Sequence, residues 1–273
     1  MTWLNRTIPD DRIIRLQLLI LIAVMLVFSL TLGQRFFSLG NFQSMSSQLP
    51  ILGMLALGMG LTMLTGGINL SIIAGANACS LVMAAIIVSH PGQPAFLLLA
   101  LVAGLLVAVA IGTLNGVLIS VIGVSPILAT LGTMTLITGL NILLSNGDVI
   151  SGFPPVIQYI GSGDIVGIPV AMILFLLVAA GLWVLLEHTT LGRSIYLVGS
   201  NEQATRFSGV NTHRVQIAVY ILSALLGWGA AILMMANSTL PKPVMANPIC
   251  WSPFWPRYWA GLIQMVALGE LSV

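Results

Sequence analysis

Asp10, Asp11, Asp148, Asp164, Glu187, Glu202 and Glu270 are the only carboxylates in 273 residues, and His90, His188 and His213 are the only histidines. All ten stand in polar stretches or at the edges of apolar runs. A proton-coupled carrier needs titratable groups within the bilayer to bind and release its proton, so proton coupling has no residues to work with. A Na⁺-coupled carrier built on backbone carbonyls stays open. The single lysine, Lys242, is followed by Pro243 and has no glycine-rich approach, so the chain has no phosphate-binding loop of its own. No nucleophile sits beside a base and no metal-ligand spacing occurs. We therefore expect no catalytic residues, no metal and no cofactor. Cys79 lies in an apolar run and Cys250 in an unusual tail, which suggests no disulfide framework. No nucleic-acid partner is expected.

What must position the remaining polar groups is a membrane bundle. The chain is 58% hydrophobic and 6% charged, against about 25% charged in soluble domains. A membrane-crossing helix needs about 20 apolar residues, and such runs fall near 16–34, 49–65, 70–89, 95–120, 126–145, 166–186 and 215–236. The first has no cleavage site after it and reads as a retained span. Arg6, Arg12 and Arg15 precede the first span, and Arg193, Arg206 and Arg214 follow the sixth. An even span count puts both clusters on one side, which the positive-inside rule makes the cytoplasm. Before the tail, only Arg35 falls in an outer loop. The expected fold is an all-α polytopic membrane helical bundle of about seven spans with a cytoplasmic N-terminus and one broken helix near 65–71.

Three polar interruptions carry information. In "LALGMGLTMLTGGINLSIIAGA" (55–76), Gly58 and Gly60 permit close helix approach, and Gly66-Gly67 can break the helix. Asn69 and Ser71 follow as caps for a new one. Either a broken helix lines a polar path here, or a tight turn joins two ordinary spans. In "GVSPILATLGTMTLITGL" (123–140), Ser125-Pro126 starts a helix. Thr130, Thr133 and Ile137 share one face, with Gly132 opening it for packing; the threonines could equally bond back to their own helix. In "EHTTLGRSIYLVGSNEQATRFSGVNTHRV" (187–215), Ser200 or Asn201 caps a short helix that Gly209 ends, suited to docking a cytoplasmic partner. The loop 146–169 either receives a soluble binding protein or caps the helix ends.

The stretches "GLTMLTGGINLS", "VSPILATLGTMTLITGL" and "TTLGRSIYLVGSNEQATRFSGVNT" resemble the permease subunits of ribose-type ABC importers, which carry monosaccharides and the autoinducer-2 signal. The likeness covers about residues 15–236. It implies a multi-pass subunit of a bacterial inner membrane. Its implied partners are a cytoplasmic ATP-binding subunit, a periplasmic solute-binding protein and a second permease subunit, the same or different. By that resemblance Thr65, Gly66, Gly67, Asn69, Ser71, Thr130 and Thr133 belong to the transport pathway. Gly192, Arg193, Gly199, Asn201, Glu202 and Ala204 belong to the loop that couples to the ATPase. The family commonly has Asp where this chain has Asn69. A stand-alone secondary carrier or channel is the alternative.

On this reading residues 1–236 form an incomplete permease domain, expected to be inactive in this truncated form, and 237–273 are a tail translated out of frame. The tail packs Trp251, Trp255 and Trp259 among Pro248, Pro253 and Pro256. Tryptophan and methionine have one codon each, which fixes much of the neighbouring frame. From the third base of Cys250 that frame runs Leu, Val, a variable residue, an apolar one, Leu, Ala, a variable residue, an apolar one, Leu and Gly, with a second Gly allowed. This matches a glycine-rich motif that the family carries there, and it places a frameshift at or shortly before Pro243. An interfacial aromatic belt or a natural short variant are the rival readings.

Overall fold

The computed structural model describes residues 11–90, 93–146, 155–165 and 168–237. Residues 238–273, and with them most of the tail, lie outside the described residues. Seven helices are long and apolar enough to cross a membrane: α1 (Asp11–Leu32), α2 (Leu39–Met63), α3 (Ile72–Ser89), α4 (Pro94–Ser120), α5 (Pro126–Ser145), α7 (Val170–His188) and α10 (Thr212–Asn237). Between them lie α6 (Pro155–Ser162), α8 (Thr190–Ser200), α9 (Glu202–Phe207), a short 3₁₀ turn (Gly33–Arg35) and a two-residue antiparallel ladder of β1 (Asp164–Ile165) with β2 (Ile168–Pro169).

The second span is longer than its apolar run. Helix α2 begins at Leu39, where the Ser38 hydroxyl accepts the amide of Asn41 at 3.3 Å. It continues through the mixed residues 40–48, which precede the apolar run 49–65, and through Pro50. A capped start and backbone hydrogen bonds do not need those nine residues to be apolar.

Helix α10 is the axis of the bundle, packed against α2, α3 and α4. Small residues allow this. Buried along α4 are Ala100, Gly104, Ala108, Gly112, Gly116 and Ser120, one small residue in every fourth position, with Asn115 beside them. A Cβ on Gly112 would stand 2.6 Å from the Cα of Ile221, and one on Gly116 would stand 2.8 Å from the Cα of Ile217. From the other side, a Cβ on Gly58 would approach the Ser223 carbonyl to 3.1 Å. Lipid supplies no hydrophobic drive between spans, so close backbone packing of this kind holds them. Gly60 and Gly132 differ from the expectation: neither has a neighbour within 4 Å, because both lie on faces turned away from the other helices.

The ends of the bundle test the span count. The turns after the second and fourth spans meet α9 and the first turns of α10 around one cavity. At the other end, α6 packs over the last turn of α10, with Gly161 against the Ala236 carbonyl, and the Asn237 amide donates to the Ser47 carbonyl at 2.7 Å. Loops that follow even-numbered spans share one end, as they must if each helix crosses. The described part of loop 146–169 thus caps the end of α10.

Candidate transport pathway and coupling surface

The turn between α2 and α3 is built by Gly66. Its φ of +77° is open to glycine at little cost. It lets the Gly67 amide donate to the Thr62 carbonyl at 3.0 Å and the Gly66 amide to the Met63 carbonyl at 3.0 Å, the paired bonds of a Schellman stop. The chain then turns inward. The Asn69 Oδ1 accepts the Ser71 amide at 3.1 Å and its hydroxyl at 2.8 Å. The Asn69 amide donates to the Ser223 hydroxyl on α10 at 3.0 Å, and the Asn115 amide on α4 donates to the Ser71 hydroxyl at 2.8 Å. Asn69, Ser71, Asn115 and Ser223 are all buried. Ser71, the N-cap residue, makes no side-chain cap bond to α3; its hydroxyl is held in this cluster instead.

Helix α5 joins through Thr130, whose hydroxyl reaches the Pro126 carbonyl at 2.7 Å and the Ile68 carbonyl at 3.1 Å. Thr133 bonds only to its own helix, at the Ala129 carbonyl, 2.9 Å. Continuing the Thr130, Thr133 and Ile137 face by four residues reaches Asn141, buried, with its amide on the Ala74 carbonyl at 3.2 Å. The segment 65–71 is thus a turn between two separate helices, as one reading had it. Yet its polar groups are packed inside the bundle, because α3 leaves α2 to lie against α4, α5 and α10.

The residues assigned to a pathway fall into two groups. Asn69, Ser71, Thr130 and Thr133 are closed interior joints. Thr65, Gly66 and Gly67 line a cavity of about 390 Å³ together with the 119–126 turn, Glu202, Gln216 and Tyr220. Across it the Gln216 amide donates to the Glu202 carboxylate at 3.2 Å. The Tyr220 hydroxyl is buried and has no hydrogen-bond partner.

The segment 187–215 contains two helices where one was expected. Thr189 caps α8 by accepting the Gly192 amide at 3.1 Å. Asn201 caps α9 by accepting the Ala204 amide at 3.0 Å, and Gly209 ends it with φ +85°. The extra helix α8 is amphipathic: Ile195 and Val198 join Leu61, Val215 and Val219 in one apolar cluster. Its residues are too few to stand out among the flanking spans.

The coupling residues also divide. Gly192 and Gly199 are seats for backbone: Gly192 lies under the Leu185 and Leu186 carbonyls of α7, and Gly199 lies against the Leu64 carbonyl at the end of α2. Arg193, Asn201, Glu202 and Ala204 are exposed. Beside them Phe207 is 92% exposed at the end of α9. Sequence reading passed over Phe207, Asn115, Gln216, Tyr220 and Ser223. The signal for the last three was their spacing of four and three, which places them on one face of α10.

The family model described as "Branched-chain amino acid transport system / permease component" matches residues 41–254. The ribose import permease protein RbsC of Escherichia coli is 33% identical over 234 residues, covering 82% of this chain and 70% of that protein. The Bacillus subtilis protein of the same name is 34% identical over 235 residues, covering 85% and 69%. The autoinducer 2 import system permease protein LsrC of Yersinia pseudotuberculosis is 32% identical over 220 residues, covering 80% and 61%. No solved structure matches. A multi-pass bundle matched over most of its length in this way is a transport component, and the chain belongs to the branched-chain amino acid transport system / permease component family.

Proposed function

We propose that the chain is the membrane-spanning permease subunit of an ATP-driven importer for a sugar or sugar-like solute. The observation that carries this reading is the set of relatives at 30–34% identity, whose names specify ribose, autoinducer 2 and fructose. The family description names branched-chain amino acids, so the test must offer both chemistries. With no phosphate-binding loop in the chain, ATP would be bound by a cytoplasmic subunit docked on α8 and α9. A periplasmic solute-binding protein would deliver the solute, and a second permease subunit would complete the channel. On this reading α8 and α9 lie on the cytoplasmic side of a bacterial inner membrane, which the cluster of Arg193, Arg206 and Arg214 supports through the positive-inside rule. Thr65 to Ser71, Thr130 and Thr133 are the pathway segment on this reading. Gly192 to Ala204 are the coupling segment.

The test is uptake of labelled D-ribose, D-fructose and L-leucine by cells that carry the gene with its reading frame restored beyond codon 243, together with its neighbouring transport genes; the chain with its present tail is expected to transport none of them. ATP-dependent uptake of a sugar that stops when the ATPase is deleted is the expected result. Uptake that survives that deletion would establish a stand-alone carrier instead. For the tail, we propose a frameshift at or shortly before Pro243. The family match runs on to residue 254, so sequencing the gene across codons 230–273 and beyond decides the matter. An open neighbouring frame with further apolar spans is the expected outcome, and early closure of that frame makes the tail genuine.

A further inference from the structure

We propose that the cavity between the 65–67 turn and α9 is a solute site at the release end of the pathway, where Tyr220 and the Glu202–Gln216 pair hold a neutral polyhydroxylated molecule. This rests on the sugar-importer reading and deepens it. The cavity volume of about 390 Å³ falls within the roughly 300–1,000 Å³ usual for small-molecule sites. Its polar groups converge from separate elements. Gln216, Tyr220 and Ser223 form a file on α10. The first two face the cavity, and the third enters the closed Asn69 cluster. Tyr220 is 1% exposed as a residue, and its buried hydroxyl has no hydrogen-bond partner. Buried hydroxyls without partners are rare in native proteins because each keeps its full desolvation penalty. Tyr220 is held in that position over Gly67, whose Cβ would stand 2.5 Å from its oxygen, so only glycine admits it.

The donor set selects the ligand. Tyr220 offers a donor. The Glu202 carboxylate accepts, and so does the Thr65 oxygen, whose own hydrogen goes to the Thr62 carbonyl at 2.9 Å. Sugar hydroxyls both donate and accept and so satisfy all three. No lysine or arginine is among the residues that line the cavity. A phosphorylated sugar would meet Glu202 without a compensating cation, and an amino acid would leave its carboxylate unpaired. Glu202 also belongs to the exposed coupling segment, and Gly199, three residues before it in the last turn of α8, is seated on the Leu64 carbonyl. Displacement of α8 and α9 therefore moves Glu202 and the 65–67 wall together.

The test uses the assembled complex of the frame-restored chain in membrane vesicles that expose α8 and α9. The chain carries Cys79→Ala and serine for any cysteine beyond codon 243, with Ser125→Cys on the cavity wall as reporter, and uptake is assayed in the same preparation. D-ribose is expected to slow labelling of residue 125 by a membrane-impermeant maleimide, and L-leucine is not. Tyr220→Phe, which keeps the ring, should weaken the protection about three- to tenfold, the loss of one neutral hydrogen bond. If ribose is taken up with ATP but labelling proceeds at the same rate with or without it, the release site is wrong and the importer reading stands. Protection by leucine, or undiminished protection in Tyr220→Phe, also overturns the assignment. If neither D-ribose nor D-fructose is transported or protects, both readings fall.

Discussion

Helices α1 and α10 have nearly the same mean hydropathy, 2.3 and 2.1, yet 0% of the α1 window is buried and 50% of the α10 window is. Their composition explains the difference. The apolar part of α1 is almost wholly Leu, Ile, Val, Met and Phe, which pack as well against lipid chains as against a helix. Helix α10 carries Ser223, Ala224, Gly227, Gly229, Ala230 and Ala231, and it lies against Gly112, Gly116 and Gly58 of its neighbours. In a bilayer the surface that seeks a partner is the small or polar one, because large apolar side chains are already solvated. Hydropathy therefore finds spans and cannot rank them from the centre outward.

The sharpest way to break this comparison is to fill the contact. Gly112→Val should force α4 away from the α10 backbone at Ile221 and cost about 3 kcal/mol or more, read as a fall in the detergent unfolding midpoint and in folded yield. An unchanged midpoint would mean that the α4–α10 approach is not what holds the axis. Gly199→Val should act next most strongly and differently. Its side chain meets the Leu64 carbonyl, so α8 must lift off α2. We expect uptake to fall at least tenfold while the chain still inserts and accumulates, and equal losses of protein and uptake would reduce Gly199 to a folding residue.

The polar cluster provides a smaller and more selective effect. Asn69→Leu removes the bonds to Ser71 and Ser223 and should cost about 1–2 kcal/mol in the same unfolding assay. Asn69→Asp should be milder. The Ser71 amide and hydroxyl already donate to Oδ1, and the Ser223 hydroxyl can rotate to donate to the second oxygen. A site of this kind accepts either residue. An Asp variant as unstable as the Leu variant would show that the cluster needs the amide donor. The smallest effect belongs to α1: Leu19→Ala and Ile22→Ala should shift stability by less than about 0.5 kcal/mol. A larger shift would reveal a protein partner on α1 and remove the contrast on which this ranking stands.

The number of spans, their order, the breaks at Gly66-Gly67 and Ser125-Pro126 and the Asn201 cap were all legible in the residues, because each rests on local chemistry: apolar length, left-handed backbone and short-range capping bonds. The face shared by Thr130, Thr133 and Ile137 was legible for the same reason, since helical periodicity alone sets it. What could not be read were the pairings across helices. Nothing local says that Asn69 meets Ser223, 154 residues away, that Gly199 rests on α2, or that Gln216 and Tyr220 open onto the same cavity as Thr65. Nor does it say which candidate polar residues would be closed joints and which would face open space. Those depend on which small faces find each other once all the spans are present, and that choice is made by close packing between helices that are equally at home in lipid.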